Sequence, residues 1–553
     1  MGVYWSSSTN KNNTDNAWNV NFNNGNVNNN NKSNKYYVRA VSSGKCDLFF
    51  FASIYKAYLD CRRRKRSTIN AMRFESDLLE NLFNLAQEVQ QGIYQPSRSV
   101  CFVTTTPKCR EIFAADFKDR VVHHLLVREL EKIWEPWFVF DSYASRKDKG
   151  IHSAVKRLGK FMNQSSCSRK KKAWFLQMDI RSFFMSIDKD ILFRILEKGI
   201  QKKMHPMADA LLYLLHRIVF HDCTRDYYFK GDKKKRDMVP AHKSLFKVET
   251  GMGLPIGNLT SQFFANVYLN ELDQYIKHDL KCRYYIRYVD DFILVSENRE
   301  RLVEWRKKID FFLRSSLLLT LKQDKGPIPV SNGADFLGYI VRPDYLLVRN
   351  RVVGNLKLKI ILFKNILVKE TRLDHCRVAV FNMDDQLVQN LFQTIASYMG
   401  HFKHASSFRL VTELMKKNDW LNEYFYFSKG RIHKKYNIKK VFLSVRAQHA
   451  YFRSLFKDSI IFFKVGKFYE FYGNDALSAG SLLKLRVMEN HRRKIKYMSG
   501  FPVAMVNQYC KKMLSQGKDV VVINETHRAG HFIRERSIKN LYRIMPCEER
   551  AAA

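Results

Sequence analysis

The chain has 553 residues, of which 46% are hydrophobic and 14% aromatic, so it is long enough to bury several cores. Its formal charge of +42 and isoelectric point near 9.8 favour a polyanionic partner, with nucleic acid ahead of a membrane surface. No apolar run approaches the ~18 residues that cross a bilayer, and the first residues lack a signal-peptide pattern. Ten scattered cysteines without a C-x-x-C pair predict reduced thiols and a cytoplasmic location.

The predicted elements begin with a polar tail. Residues 1–45 are rich in Asn and Ser, and we expect them to be disordered or loosely attached, with Trp18, Val20 and Phe22 as the best strand pattern. Two amphipathic helices follow, in "LFFFASIYKAYLDCRRRKR" and in "FESDLLENLFNLAQEVQQG". Short strands alternate with helices to about residue 340, and a basic helical region comes next. A last α/β block ends the chain.

Two strand-like segments carry carboxylates at their ends. The segment "FLQMDIRSFF" (175–184) places Asp179 where an apolar strand ends, and "RYYIRYVDDFILV" (283–295) places Asp290 and Asp291 in the turn of an apolar hairpin. Burying adjacent acids is costly, and divalent cations with oxygen ligands relieve that cost. A lone Asp-Asp pair is usually a solvated turn. The matching upstream segment favours instead two metal ions, roughly 4 Å apart, that clamp the oxygens of a phosphoryl transfer.

The segment Y-V-D-D at 288–291 resembles the Y-x-D-D box of reverse transcriptases, and Asp179 falls where their other metal-binding aspartate lies. Further segments resemble that family in the same order, at 107–126, 142–155, 319–326 and 334–339. The resemblance implies a right-hand polymerase with fingers, palm and thumb. It also implies a two-metal site for Mg²⁺, or Mn²⁺ in its place, held by Asp179, Ile180, Asp290 and Asp291.

The same resemblance implies roles for residues around these acids. Lys108 and Arg110 would neutralise the incoming triphosphate, Phe184 would exclude a ribose 2′-hydroxyl, and Lys325 would act near the leaving pyrophosphate. Each has a plain alternative, which is a surface cation for the basic residues and a core aromatic for Phe184. The predicted nucleic-acid contacts of the polymerase region are Arg146, Lys147, Tyr288 and Lys403.

The segment "GMGLPIGNLTSQ" (251–262) differs between subfamilies of reverse transcriptases. Most reverse transcriptases read Q-G-x-x-x-S-P at this nucleotide-binding site, whereas this chain has Ile256, Gly257 and Gln262. This box is similar to that of reverse transcriptases from diversity-generating retroelements, which copy a template-repeat RNA with errors at adenines; segments 240–246 and 397–405 resemble the same group. An aliphatic side chain cannot hydrogen-bond to the nascent pair, so a wrong base loses less relative to the right one. Lineage drift with ordinary fidelity is the alternative.

Residues 1–41 resemble the end of a C-type-lectin-like variable domain, with a Trp-bearing strand, an Asn tract and the segment "YYVRAV". In diversity-generating systems that end is the part diversified, and asparagine codons begin with two adenines. We interpret the tail as a translated template repeat. A polar tail of no such origin is the alternative.

The block 445–547 resembles the N-terminal mismatch-recognition domain of MutS, through "GKFYEFYGNDA" and a strand ending I-N-E. Phe468 and Glu470 stand at the positions of the base-wedging phenylalanine and its glutamate, which predicts contact with unpaired or mispaired bases. The strand ending departs from the usual C-E-Q, and no MutS ATPase follows, which favours duplex binding over repair signalling. The alternative is a small interaction domain with Phe468 in its core.

The predicted fold class is multidomain α/β (α+β), a right-hand polymerase with a helical thumb and a small mixed α/β domain similar to the MutS N-terminal domain. The predicted boundaries are 1–45 tail, 46–175 N-terminal helices and fingers, 176–340 palm with the remaining fingers, 341–435 basic thumb, 436–444 linker, 445–547 MutS-like domain and 548–553 tail.

The predicted function is RNA-directed DNA polymerisation in mutagenic retrohoming, by a bacterial or phage-encoded enzyme. The partners that the resemblance implies are a template-repeat RNA with its cDNA, dNTPs, a pentameric accessory variability determinant and target DNA, with no membrane. One alternative is a reverse transcriptase of ordinary fidelity from a retron, group II intron-like or defence element. Another is a basic RNA-binding scaffold with an inactive palm, although unused buried acids cost stability and should be lost.

Overall fold

A computed structural model of the chain describes residues 3–10, 13–21, 26–31, 48–63, 65–105, 108–205, 207–373, 376–428, 430–436, 442–489, 496–529 and 533–545. The chain divides into two compact units, Met1–Leu337 with Val341–Asp344, and Gly338–Ile340 with Tyr345–Ala553. None of the helices in these described ranges is long and apolar enough to cross a membrane.

The first unit contains ten helices among its described residues. They are α1 (Leu48–Arg62), α2 (Ile69–Ser76), α3 (Leu78–Gln90), α4 (Phe117–Trp134), α5 (Ile151–Ser165), α6 (Lys189–Lys202), α7 (Ala208–Val219), α8 (Lys234–Asp237), α9 (Leu259–Gln274) and α10 (Arg299–Ser316). Helix α9 is the centre of the core, since twelve of its sixteen residues are buried. Such all-round burial is typical of a helix covered on every side by other elements.

The strands of the first unit form three sheets and one short boundary strand. They are β1 (Val3–Asn10), β2 (Asn13–Asn21), β3 (Asn26–Asn31), β4 (Ser99–Thr104), β5 (Arg110–Ala114), β6 (Trp174–Asp179), β7 (Tyr227–Phe229), β8 (Tyr284–Tyr288), β9 (Asp291–Ser296), β10 (Ile328–Pro329) and β11 (Ala334–Phe336). The sheet that positions the acids has the order β10-β6-β9-β8, and β4 pairs with both β5 and β7. The apolar segments of β6 and β9 suit the two central strands of this sheet, and the edge strand β8 is buried along its middle as well.

The polar tail contains the short strand that the pattern of Trp18 and Val20 predicted, as part of β2, while its loose attachment stays a prediction. Strands β1, β2 and β3 pair antiparallel in a three-stranded meander. Hairpin pairing of neighbouring strands satisfies the backbone donors and acceptors locally, which composition alone does not reveal. Residue Phe22 of the expected strand pattern lies outside the described residues, as do 32–47.

The second unit contains six helices and the remaining strands among its described residues. The helices are α11 (Asn350–Leu367), α12 (Asp385–Phe402), α13 (Phe408–Lys416), α14 (Val445–Leu455), α15 (Asn474–Leu483) and α16 (Val506–Ser515). The strands are β12 (Tyr339–Val341), β13 (Leu346–Val348), β14 (Val368–Leu373), β15 (Cys376–Asn382), β16 (Phe425–Ser428), β17 (Arg431–Lys434), β18 (Ile460–Val465), β19 (Phe468–Tyr472), β20 (Met488–Glu489), β21 (Tyr497–Pro502), β22 (Val520–Ala529) and β23 (Arg534–Met545).

The segment expected as a separate thumb shares a sheet with the C-terminal block. The hairpin β14–β15 joins an eight-stranded sheet of order β14-β15-β23-β22-β18-β19-β21-β20, through antiparallel pairing of β15 with β23. One hydrophobic core also combines residues from both segments, including Leu391, Phe452 and Ile523. The sequence predicted a linker at 436–444, of which 437–441 lie outside the described residues. Pairing between strands so distant in sequence has no local sequence signal.

Candidate active site

The strands of the sheet β10-β6-β9-β8 place the three acids at one end of the sheet. Asp179 is the last residue of β6 and stands opposite Asp291, the first residue of β9. The two-residue turn between β8 and β9 holds Val289 and Asp290, and Val289 has a φ of 58°. This left-handed backbone is strained for a β-branched residue, and such strain concentrates at functional sites.

A buried ion pair holds this turn in place. The guanidinium of Arg287 and the carboxylate of Asp273 are both fully buried, 2.6 Å apart. The same guanidinium donates a 3.0 Å hydrogen bond to the carbonyl oxygen of Val289 and another to Asn266 of α9. Tyr285 also donates to Asp273. Because a buried charge is tolerated only when it is paired and fully hydrogen-bonded, this network ties the acid-bearing turn to α9.

The acids lie close enough to disturb each other. Burial is the main cause that raises the pKa of Asp291 to about 7, and the negative charges of Asp179 and Asp290 add to it, while a hydrogen bond from Gln177 opposes it. Burial and the charge of Asp179 also raise the pKa of Asp290, against the pull of Lys322 and Arg110. The site therefore resists holding three negative charges unless a cation is present.

The donor set fits Mg²⁺ chemically. No group of three or more His, Cys, Asp or Glu side chains forms a ready-made metal site within the described ranges. However, Oδ1 of Asp179 is buried without a hydrogen-bond partner there, and Asp290 and Asp291 are held as acids with raised pKa values. Unsatisfied carboxylate oxygens and excess negative charge are what a hard divalent cation relieves.

Lys322, which the sequence interpretation did not single out, lies beside the acids. The role of Lys325 near the leaving pyrophosphate stays a prediction. The ammonium of Lys322 forms an ion pair with Oδ2 of Asp179, and its main-chain N–H donates to the carbonyl oxygen of Asp179. Lys325 is exposed and does not line the cavity described next. The segment around Leu321 forms only an isolated bridge to Ile180, so strand alternation gave no signal that would separate Lys322 from Lys325.

A cavity of about 960 Å³ surrounds the acids and gathers most of the predicted site residues. Its lining combines the three acids with basic residues from several elements, an arrangement suited to a polyphosphate and its cations. The predicted residues among its lining are Lys108, Arg110, Asp179, Ile180, Phe184, Ile256, Gly257, Gln262, Tyr288, Asp290 and Asp291. The lining also includes Arg181, Ser182, His242, Lys243, Asn266 and Lys322, which sequence reasoning had not assigned.

The variant box forms one wall of this cavity. The carbonyl oxygen of Ile256 accepts a 2.8 Å hydrogen bond from the N–H of Phe113 on β5. Gly257 has a φ of 127°, and a Cβ there would lie 2.8 Å from the carbonyl oxygen of Phe113, so only glycine fits. Gln262 is exposed at the start of α9 and accepts a hydrogen bond from Ser145. Strand β5 thus fixes Ile256 at the cavity wall.

Two predicted nucleic-acid contacts of the first unit, Arg146 and Lys147, do not line this cavity, although the preceding Ser145 does. The side chain of Arg146 is only 7% exposed, because it binds Glu135 and the carbonyl oxygens of Val139 and Ser142. Lys147 is exposed. The local run of basic residues gave no signal that would distinguish these two environments.

The remaining predicted contacts belong to the second unit. Lys403 is exposed just after α12, and Phe468 is 48% exposed where the β18–β19 hairpin begins its return strand. Glu470 accepts a hydrogen bond from Tyr472. Glu525 accepts from the N–H of Gly466 and from Arg536, so β22 supports the hairpin tip. This strand continues to Ala529, past the I-N-E at which the sequence predicted its end.

Comparisons with known proteins match two segments of the chain. Residues 104–341 match the family model described as "Reverse transcriptase (RNA-dependent DNA polymerase)", and residues 444–542 match "MutS domain I". The two matches cover the acids of the cavity and the exposed hairpin of Phe468, respectively.

Three curated relatives are similar to parts of the chain. Protein YkfC of Escherichia coli is 26% identical over 49% of this chain and 74% of its own length. The group II intron-encoded protein LtrA of Lactococcus lactis is 22% identical over 48% of this chain and 50% of its own length. The DNA mismatch repair protein MutS of Acholeplasma laidlawii is 27% identical over 16% of this chain and 10% of its own length. The chain thus spans about half of LtrA and a tenth of MutS.

Proposed function

We propose that this chain, which is an RNA-directed DNA polymerase, copies a template-repeat RNA into cDNA with errors concentrated at adenines. The observation that carries the proposal is the presence of Ile256 at the cavity wall, fixed to the fingers strand through its main chain. The tail 1–41 supports it as the translated, asparagine-rich copy of such a template.

The reaction joins a primer 3′-hydroxyl to the α-phosphorus of a dNTP. The new P–O bond forms as the bond from the α-phosphorus to its bridging oxygen breaks, pyrophosphate leaves with that oxygen and the electron pair, and the hydroxyl proton is lost to solvent. Asp179, Asp290, Asp291 and the main chain of Ile180 would hold Mg²⁺, which supplies charge neutralisation for phosphoryl transfer when bound. Lys108 and Arg110 line the same cavity and would orient the triphosphate.

Lys322 acts on Asp179 in this proposal. Its ammonium keeps the carboxylate neutralised and oriented while no cation is bound. Phe184 lines the cavity next to Phe183, where its ring would stand against the sugar of the nucleotide and exclude a 2′-hydroxyl.

Low fidelity follows from the chemistry of the variant box. A side chain that hydrogen-bonds to the nascent pair loses that bond when the base is misplaced, and this loss adds to the discrimination between bases. Ile256 has no polar side-chain atom, so it makes no such hydrogen bond with either a correct or an incorrect pair. A correct and an incorrect pair therefore differ less in free energy at this wall.

The test is sequencing of cDNA made by the full chain on a defined RNA template with Mg²⁺, for the wild type and Ile256→Gln. We expect wild-type errors to concentrate opposite template adenines and the substitution to lower that error rate by about tenfold, a change of about 1.4 kcal/mol in discrimination. Uniformly accurate wild-type cDNA would show a polymerase of ordinary fidelity and would contradict the diversity-generating proposal. Ile256→Leu, which keeps an aliphatic side chain at the same position, serves as the matched control and should keep the wild-type error pattern.

For the second unit we propose duplex binding through the hairpin of Phe468. The exposed ring is suited to stacking on an unpaired or mispaired base, and Lys403 adds a contact to the phosphate backbone. The proposed ligand is the RNA·DNA hybrid or target DNA. An accessory pentamer that assists synthesis is part of the same proposal.

A further inference from the structure

Strand β23 joins two parts of the second unit that the sequence predicted as separate. On one side it pairs antiparallel with β15 over six residue pairs, and the β14–β15 hairpin leads directly back to helix α11. On its other side β23 pairs with β22, a strand of the block that matches MutS domain I. Main-chain hydrogen bonds on both sides therefore connect α11 to the MutS-like strands through one element.

The tip of the hairpin that carries Phe468 is bonded to the same strand. Arg536 of β23 is 5% exposed, and its guanidinium donates 2.7 Å hydrogen bonds to the carbonyl oxygen of Lys464 and to the carboxylate of Glu525. Glu525 also accepts a 3.1 Å hydrogen bond from the N–H of Gly466 in the turn. A planar guanidinium with several partners fixes their geometry. The exposed ring of Phe468 therefore keeps a constant position relative to β23.

Side chains from both parts also fill one hydrophobic core. Leu356 and Ile360 of α11 lie in this core together with Ile461 of β18 and Val521 of β22, and all four are buried. Separating two parts that share a core would expose its apolar surface to water, and close-packed side chains transmit any displacement. Helix α11 and the hairpin of Phe468 therefore belong to one body.

Helix α11 gives this body a surface suited to a polyanion. The helix contains four basic residues and no acidic one, and Arg351, Lys357 and Lys359 are exposed. Exposed cations of this kind bind a nucleic-acid backbone without regard to its sequence. Because α11 begins shortly after residue 341, where the reverse transcriptase match ends, the duplex nearest to it along the chain is the RNA·DNA hybrid that the polymerase makes.

We propose that the hairpin of Phe468 binds mispaired bases in the polymerase's own RNA·DNA product and thereby lets synthesis continue past an error. This inference rests on the error-prone polymerisation and the duplex binding proposed above. The bases of a mispair leave the stack at a lower cost than those of a matched pair, so the ring selects them, and stacking on the ring stabilises the mispaired hybrid on the enzyme. Because the ring and α11 belong to one body, the hybrid stays bound while its primer end is extended.

A rigid connection predicts that the effect occurs at one spacing. In this proposal the primer end lies at the acids, and the hairpin of Phe468 meets the hybrid a fixed number of base pairs behind it. A mispair is stabilised only when extension has carried it to that place. A domain on a flexible linker would instead reach mispairs over a wide range of spacings.

The experiment uses the full chain with Mg²⁺, dNTPs and a DNA primer annealed to an RNA template. One mispair is placed in turn at successive positions behind the primer 3′ end. The length of cDNA added in a single binding event is measured for each position and divided by the length added to the matched hybrid. The variants are Phe468→Ala and Phe468→Trp, of which the second keeps a ring that can stack. Phe408→Ala is the matched control, because Phe408 is an exposed phenylalanine of the same unit, at the start of α13.

We expect the relative length of wild-type cDNA to peak at one position of the mispair, about fivefold or more above the value for Phe468→Ala at that position, as for the loss of one base–aromatic stack. Phe468→Trp should keep the peak, and Phe408→Ala should give the wild-type profile. A flat wild-type profile would overturn the inference. A peak of the same height in Phe468→Ala would overturn it as well, because another part of the chain would then hold the mispair.

The failure of this inference can be told apart from failure of the proposed function. If Phe468→Ala weakens binding to a mispaired hybrid but the wild-type profile is flat, duplex binding stands and only its link to synthesis is contradicted. A flat profile with tighter binding to mispaired DNA than to mispaired hybrid would assign the hairpin to target DNA and overturn the inference. Wild-type cDNA without errors at adenines contradicts only the diversity-generating proposal, because the primers supply the mispairs in this experiment.

Discussion

Replacing Asp291 by Asn should make the protein more stable and inactive at once. Burial and the neighbouring acids raise the pKa of Asp291 from its ordinary value of 3.8 to about 7. That change corresponds to roughly 4 kcal/mol against the charged form. Because the other two acids remain and the site is partly open to water, we expect Asp291→Asn to recover roughly 1–2 kcal/mol of unfolding free energy without metal. Gln177, which donates to the Asp291 carboxylate, can still donate to the amide oxygen of the replacement side chain.

The pH dependence of this stability gain follows from the same raised pKa of Asp291. A carboxyl whose pKa is raised on folding contributes stability when it is protonated, and that contribution is lost as the pH rises from about 4 through about 7. The advantage of Asp291→Asn should therefore be small at pH 5 and full at pH 8.

Thermal unfolding in a chelator measures this prediction at pH 5 and pH 8, with primer extension as the readout of activity. We expect a Tm higher by about 2–6 °C at pH 8 and no cDNA synthesis. Asp237→Asn, an exposed acid of the same unit, is the control. Adding Mg²⁺ should raise the Tm of the wild type more than that of the variant, because the wild-type site holds one more carboxylate whose charge the cation neutralises. A variant less stable than the wild type at pH 8 would refute the reasoning that burying these charged acids together lowers the free energy of unfolding.

Three further outcomes are expected. Arg287→Met should cost about 3–5 kcal/mol in denaturant unfolding by leaving Asp273 buried and unpaired, whereas the double variant Arg287→Met with Asp273→Leu should cost less; equal costs would contradict the pairing. Gly257→Ala should lower the rate of nucleotide incorporation at least about tenfold, because its Cβ would overlap the main chain of strand β5 at Phe113, while Gly354→Ala, which meets open space in α11, should keep the wild-type rate. Phe468→Ala should leave stability within about 0.5 kcal/mol, since the ring is half exposed, and weaken binding to a mismatched RNA·DNA hybrid by about fivefold or more in fluorescence anisotropy; unchanged affinity would exclude stacking by this ring.

The positions of the three acids were predictable because each acid lies at the end of a short apolar strand. The apolar segments around Asp179 and around the pair at 290–291 predict strands with acids at their ends, and the sheet register places Asp179 opposite Asp291. Lys322 and Lys325 differ only by three positions along an irregular edge. Periodicity cannot resolve which of them reaches the acids.

The long-range parts were not predictable in the same way. The Arg287–Asp273 pair joins a strand to a helix, and a buried charge reads as an exposed one until its partner is known. The match to MutS domain I at 444–542 agrees with the block predicted at 445–547. The pairing of β15 with β23 across more than a hundred residues, which joins the predicted thumb segment to that block in one sheet, had no local signal. The hydrogen bond from the Ser244 hydroxyl to the buried Glu111 carboxylate likewise joins residues 133 positions apart, so no local pattern predicts it.

The most direct test of the central claim is extension of a DNA primer on an RNA template by the purified full chain with Mg²⁺, beside the double variant Asp290→Asn with Asp291→Asn. We predict cDNA from the wild type and none from the variant, although the variant is folded and at least as stable. RNA-templated cDNA at the same rate from the variant would contradict the assignment of these acids as the centre of catalysis.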